Sequence, residues 1–222
     1  MKCRFIFFDV GNTLLFPNRP RILAPLPERR HPTLAAWQAL ERRTKQEFDQ
    51  GLMEGKVDHG FWWTFHTYLL QDLNALDDGV RKQLIENTQN SANWDQILPG
   101  TRDALERLRK QYATAVISNS DGRIDAVLRR CGIGGCFQSI TDSGNVGHEK
   151  PHRAIFEAAL REMKAEPGDS LYVGDVYSVD YVGARNAGMH AVLFDVAGTY
   201  RECDLPRVET LIGLEMWLTQ SL

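Results

Sequence analysis

The sequence predicts an α/β protein built around a parallel sheet, and three observations carry that expectation. Short apolar runs end in acids or small polar residues: CRFIFFD (Cys3–Asp9), TAVISN (Thr114–Asn119), FQSITD (Phe137–Asp142), SLYVGD (Ser170–Asp175) and HAVLFD (His190–Asp195). Several of these runs are continuous rather than alternating, which suits strands buried on both faces. Helical patterns separate them, and strand–helix alternation implies a sheet with right-handed crossovers. The chain has 222 residues, 43% hydrophobic and 25% charged, so it can bury a sizeable core without disulfides or structural metals.

The helices are read from their apolar periodicity. Thr101–Tyr112 places Ala104, Leu105 and Leu108 on one face, with Thr101 as N-cap. His152–Met163 aligns Ile155, Phe156, Ala159, Leu160 and Met163, and Pro151 stands just before it, where proline is favoured. Val179–Met189 and Val208–Leu222 read as shorter helices, and Asp121 is expected to cap the helix that follows it. From about Phe16 to Asp95 the alternation stops. A proline-rich loop leads into three helical patterns: Thr33–Gly51, ending at the glycine, then His59–Leu73 and Asp78–Asn90. This reads as a helical insert after the first strand.

Composition excludes several classes. Net charge is −3 with a pI near 6.1, so there is no basic footprint for nucleic acid or an anionic membrane. No apolar run approaches the length of a membrane span, and the opening residues read as a strand, so no signal peptide is expected. The four cysteines form no C-x-x-C pair and lack histidines at zinc spacing, so a reducing cytoplasm is the expected location. No pattern in the chain specifies an oligomeric state.

Ligands of such sheets bind beyond the carboxyl ends of the strands. There the chain offers Asp9, Asn12 and Thr13, then Ser118 and Asn119, then Lys150, and finally Asp175 with Asp180 five residues on. Three crowded carboxylates raise one another's pKa, and a divalent cation relieves the conflict. Oxygen ligands with room for water and phosphate suit Mg2+. Lys150 and the neutral donors would hold an anionic substrate. The residues alone therefore suggest Mg2+-assisted phosphoryl transfer.

Four segments in order, FFDVGNTL, VISNS, EKPHRAIF and YVGDVYSVD, resemble the motifs of the haloacid dehalogenase-like (HAD) hydrolase superfamily, in its C1-cap phosphatase-like branch. The resemblance covers roughly residues 1–16 and 96–200, with the insert where that family carries a helical cap. It implies a doubly wound, Rossmann-like core of residues 1–16 and 96–222 and a C1 cap of residues 17–95. It further implies Mg2+-dependent hydrolysis of a small phosphorylated metabolite through an aspartyl-phosphate. Asp9 would be the nucleophile. Asp9, Asp175 and the carbonyl of Gly11 would hold the metal, with Asp180 acting through water or by orienting Lys150. Asn12, Thr13, Ser118 and Asn119 would position the nucleophile and the phosphoryl oxygens, and Lys150 would neutralise the transition state.

Gly11 departs from that pattern. Most family phosphatases have a second aspartate there, which protonates the leaving group and then activates water. Its carbonyl would keep the metal role, but a proton-transfer group worth about 10²–10⁴-fold is missing. Three consequences are open: slow turnover or substrates needing no leaving-group proton, a replacement acid in the insert (His31, Glu54, Asp58, His59 or His66), or a binding or regulatory protein with weak catalysis. Asn12 stands where the family usually has glycine, and asparagine tolerates a positive φ. The metal-independent 2-haloacid dehalogenase branch also lacks the second aspartate, but it lacks the metal-binding acid of the fourth motif too, which Asp175 supplies. The phosphonate-cleaving branch has a small residue here and uses a cap lysine as a Schiff base. Lys45 and Lys56 lie in the insert, and a solvated place on the surface is the expectation for both. The aromatic stretch Phe61–Tyr68 is expected to pack between helices, with Trp63 or Tyr68 the candidates to reach the pocket.

Overall fold

The structure, a computed structural model, describes residues 3–56 and 60–221. Strand β1 is Phe5–Phe8, and a short β2, Phe16–Pro17, follows it. Helices α1 (Arg19–Ile22), α2 (Leu34–Met53), α3 (Phe61–Asp72) and α4 (Asp78–Gln89) come next. β3 (Trp94–Gln96) then pairs antiparallel with β2, bracketing the helical insert with a two-stranded ribbon that the sequence pattern did not reveal. The rest alternates: α5 (Thr101–Leu108), β4 (Ala113–Ser118), α6 (Ile124–Arg130), β5 (Ser139–Asp142), α7 (Ser143–Val146) and α8 (Arg153–Met163). β6 (Ser170–Gly174), a π-helical turn (Tyr177–Tyr181), α9 (Val182–Asn186), β7 (His190–Phe194), β8 (Arg207–Val208) and α10 (Leu211–Ser221) complete it.

The main sheet has six parallel strands in the order β5-β4-β1-β6-β7-β8. Strand order reverses about β1, the place where such sheets put ligands. Alternate residues on each strand feed two separate cores. Ile6, Phe8, Val116 and Val173 face a layer with α5, α6 and α10. Phe7, Ala115, Ile117 and Tyr172 face a layer with α8 and α9. Helices cover both faces, so the near-continuous apolar runs are explained. The insert packs a core of its own around Ile22, Trp37, Leu40, Phe65, Leu69 and Leu84.

Local details differ from the sequence reading. Gly100, in the left-handed region, caps α5, and Thr101 is its first residue. α2 passes through Gly51 and stops only at Glu54, before Gly55 with φ +66°. Asp121 does not cap α6; Asp142 does that work, accepting from the backbone N–H groups of Gly122 and Ile124. Asp121 instead accepts from Ser91 N and pairs with Arg123. Trp63 lies under the Arg81 guanidinium, while Tyr68 stacks with Arg43 and bonds Glu47, so both are occupied by partners within the insert. Among the described residues no helix is long and apolar enough to cross a membrane.

Candidate active site

β1 and β6 pair in register through Phe8 and Val173, and Asp9 N donates to Val173 O at 2.8 Å. The pairing brings Asp9 and Asp175 out side by side at the sheet's carboxyl edge. Asp180 joins them from the π-helical turn, and ligand oxygens of all three lie within 4.8 Å of one another. Gly174 is needed for this, because a Cβ there would sit 2.5 Å from Asp180 Cγ. Asn12, at φ +54°, turns the chain so that its N–H reaches Leu15 O, and Thr13 Oγ1 lies 3.5 Å from Asp9 Oδ2.

Lys150 comes from the loop between α7 and α8. Asn119 grips that loop at both ends of its amide, accepting from Lys150 N at 2.7 Å and donating to Lys150 O at 3.0 Å. Its side chain therefore positions the lysine through backbone contacts. The three ammonium protons have three acceptors: Asp9 Oδ1 at 2.5 Å, Asp180 Oδ1 at 2.8 Å and Tyr172 Oη at 2.8 Å. Burial would depress this lysine's pKa, but Asp180 and Asp9 outweigh burial and hold it charged, above the ordinary range. Tyr172 was not singled out in the sequence, since an aromatic inside a strand reads as core. Ser118 is buried at the end of β4.

The carboxylates divide by how well they are satisfied. Asp180 Oδ2 accepts from Asp175 N and Val176 N, both at 3.0 Å, and Oδ1 faces Lys150 and Tyr172. The single Tyr172 proton is shared between Asp180 Oδ1 and Ile117 O, both at 3.1 Å, and with Lys150 and two backbone N–H groups engaged Asp180 orients its neighbours. Asp175 Oδ2 is buried with no hydrogen-bond donor. Burial pushes the Asp175 carboxyl up to about 7 and that of Asp9 up to about 6, against the opposing pull of Lys45 and Lys150 respectively.

Lys45 overturns its expected place on the surface. It is 1% exposed, and its Nζ forms ion pairs with Glu41 Oε1 at 2.7 Å and with Asp175 Oδ2 at 2.8 Å. Burial opposes its charge, but Asp175 and Glu41 outweigh that and hold it as an ammonium. Lys56 is exposed and pairs with Glu54, as a surface lysine does. One turn beyond Lys45, Asp49 fastens α2 to the core: Oδ1 accepts from Ser178 N at 2.9 Å and Oδ2 from Tyr200 Oη at 2.7 Å. Glu41, Lys45 and Asp49 share one face at four-residue spacing, a signal that also describes an ordinary solvated helix.

The replacement acids considered for Gly11 fare poorly. His31 Nε2 is 3.1 Å from the carbonyls of Leu23 and Leu26, and Glu54 is exposed beside Lys56. His66 is fully buried, with Nε2 2.8 Å from Thr88 Oγ1, and burial lowers its pKa to about 3. Asp58 and His59 fall outside the described residues. At Gly11 itself a Cβ would meet the indole of Trp94 at 3.4–3.8 Å, so an aromatic ring bounds the space that a residue-11 side chain would enter.

Four buried carboxylates, Asp9, Asp175, Asp180 and Glu41, face two ammonium groups. With Asp49 nearby, buried carboxylates outnumber the ammonium groups here, and the donor set is all oxygen, as Mg2+ requires. The unbonded Asp175 Oδ2, together with Asp9 Oδ2, whose Thr13 contact is long, fits a metal.

Comparison with known proteins agrees with this architecture. The haloacid dehalogenase-like hydrolase family matches over residues 3–188. Human haloacid dehalogenase-like hydrolase domain-containing protein 3 is 32% identical over 213 residues, 87% of this chain and 82% of that protein. A glyceraldehyde 3-phosphate phosphatase of Pyrococcus furiosus is 29% identical over 92% of this chain and 85% of its own. A HAD-hydrolase from Bacillus subtilis bound to magnesium superposes with TM-score 0.72 at 19% identity, covering 98% of this chain and 99% of that one. An L-2-haloacid dehalogenase from Xanthobacter autotrophicus does so with TM-score 0.62 at 16% identity, covering 98% of each chain. Phosphatases and dehalogenases thus share this fold, and the fold alone does not choose between them. The chain belongs to the haloacid dehalogenase-like hydrolase family.

Proposed function

We propose that the protein is a Mg2+-dependent phosphohydrolase acting on small phosphorylated metabolites, with residues 17–95 serving as a cap over the core. One observation carries the reading: a buried carboxylate pair, Asp9 and Asp175, whose Oδ2 atoms meet only a long Thr13 contact and the Lys45 ammonium respectively, beside a second lysine already engaged by Asp9 and Asp180. The phosphatases among the relatives support the substrate class.

Asp9, Asp175 and the Gly11 carbonyl would hold Mg2+, which when bound supplies charge neutralisation and a template for the phosphoryl oxygens. A carboxylate oxygen of Asp9 attacks phosphorus, the bond to the leaving oxygen breaks, and an aspartyl-phosphate forms. Lys150, held by Asn119 and Asp180, fixes Asp9 and screens charge that builds on the phosphoryl group. Asn12, Thr13 and Ser118 would line the approach to Asp9. Water then releases phosphate. Gly11 offers no proton, so leaving groups that depart as stable anions are favoured. The Lys45 ammonium, with no lone pair, is a poor Schiff-base former in this pairing.

The test is turnover of acetyl phosphate, p-nitrophenyl phosphate and glyceraldehyde 3-phosphate with Mg2+, with EDTA, and in Asp9→Asn. Activity that requires Mg2+ and disappears in Asp9→Asn is expected. Turnover that survives EDTA rules out the metal mechanism, and halide release from 2-haloacids assigns the dehalogenase reaction instead. Silence on all three substrates with Mg2+ bound leaves a binding protein.

A further inference from the structure

We infer that Lys45 is a tethered counter-cation that competes with Mg2+ for Asp175, so that docking of α2 on the core opposes metal loading. The inference rests on the metal reading above and adds a residue that governs the site's affinity. Nζ of Lys45 lies 2.8 Å from Asp175 Oδ2, a buried oxygen with no other donor against it among the described residues. A divalent cation and an ammonium cannot both lie against that one oxygen without strong like-charge repulsion in a buried setting. Glu41, 2.7 Å from Nζ on the same helix, gives the displaced ammonium somewhere to go. It turns an orphaned buried charge, which would forbid the exchange, into a paired one.

The position of Lys45 is not left to its own side chain. One turn further on, Asp49 takes the Ser178 N–H and the Tyr200 hydroxyl, and Tyr177 N donates back to Tyr200 Oη at 3.0 Å. The Tyr200 backbone is in turn held by Asp195, which accepts from Thr199 N and Tyr200 N. This latch presses α2 against the loop after β6, and with it Lys45 against Asp175. Loosening the latch therefore makes Asp175 easier for Mg2+ to take, although no charge is removed.

Calorimetric titration of Mg2+ into the whole chain tests this without any assay of turnover. Lys45→Met is expected to bind Mg2+ about tenfold more tightly than wild type. Lys45→Gln, which keeps the length of the chain, stands in if the methionine variant does not fold. Tyr200→Phe, which keeps every charge, is expected to shift affinity a few-fold in the same direction. Equal or weaker Mg2+ binding in both Lys45 variants overturns the competition. A gain at Lys45 with none in Tyr200→Phe overturns the role of docking. If neither wild type nor any variant binds Mg2+, the metal reading fails, and this inference fails with it.

Discussion

Two buried lysines meet the carboxylate cluster from different regions of the molecule. Lys150 arrives on a core loop and is gripped through its backbone by Asn119. Lys45 arrives from the middle of a long helix in the insert, held by the Asp49 latch. Each bridges two acids: Lys150 joins Asp9 to Asp180, and Lys45 joins Asp175 to Glu41. The difference lies in what else the acids have. Lys150 spends its three protons on well-aligned acceptors. Among the described residues Lys45 is ion-paired with Asp175 Oδ2 and Glu41 Oε1 alone, and Glu41 can keep it when another cation takes Asp175. A lysine that completes a network belongs to the machinery, whereas one that merely balances charge can be exchanged for another cation.

The largest expected effect breaks the pair apart. Lys150→Met strands Asp9 and Asp180 without a counter-charge and should cost roughly 3–5 kcal/mol in stability and about 10²–10³ in turnover. Denaturant melts and steady-state rates read these losses, and saturating Mg2+ should not restore them. Lys45→Met should also lower the metal-free melting temperature, but Mg2+ should recover much of it. Equal recovery in both variants would erase the distinction drawn between the two lysines.

Next in size is Gly11→Asp, which tests whether the core lacks only its proton carrier. If so, hydrolysis of alkyl phosphates should rise by about 10²-fold, and the dependence of rate on leaving-group pKa should flatten. Trp94 bounds the space beside position 11, so a structure of the variant should show the indole shifted. A steep dependence that persists would place the defect elsewhere.

His66 sharpens the contrast from the other side, as a buried titratable group in the insert with no charged partner. Thr88 Oγ1 donates to Leu84 O, so His66 Nε2–H donates to Thr88, and Nδ1 is left without a partner. Its folded pKa of about 3 lies below the usual histidine value. The unfolded chain therefore binds the proton first as pH falls. Stability from this group is full above the unfolded pKa and drains away as pH falls toward 3. Between pH 7.5 and pH 5 the loss should be about 2 kcal/mol, and His66→Gln should remove that slope from urea midpoints.

The smallest effect is at the latch. Tyr200→Phe deletes the hydroxyl that donates to Asp49 and accepts from Tyr177 N, and should destabilise by about 1.5–3 kcal/mol before any relaxation, with Ser178 N still serving Asp49. Thermal melts of the metal-free chain measure it.

The core half of the site could be read from sequence because strand ends are fixed points. Asp9, Asn119 and Asp175 directly follow strands, whereas Lys150 comes from the loop between α7 and α8 and Asp180 from the π-helical turn, both within reach of the same edge. The doubly wound sheet was legible too, since Phe7 and Phe8 are both buried on opposite faces. Not every strand-end acid is part of the chemistry, however. Asp142 and Asp195 end strands in the same way, yet they satisfy backbone N–H groups of nearby turns. The insert half was hidden for a different reason. Glu41, Lys45 and Asp49 repeat every fourth residue, which is also how a solvated helix is charged. Only the docked partner shows that this charged stripe is buried. Tyr172 was missed because its ring belongs to the core and only its hydroxyl reaches the site.

Trp62 in α3 and Trp94 in β3 have ring centroids 5.6 Å apart, tilted by 57°. Trp62 packs against the main core and against the core of the insert alike. Two indoles this close and this inclined couple their electronic transitions, which gives the junction its own circular dichroism signature. A change in packing at this junction would thus be visible in unlabelled protein, as a change in optical activity rather than in rate or heat.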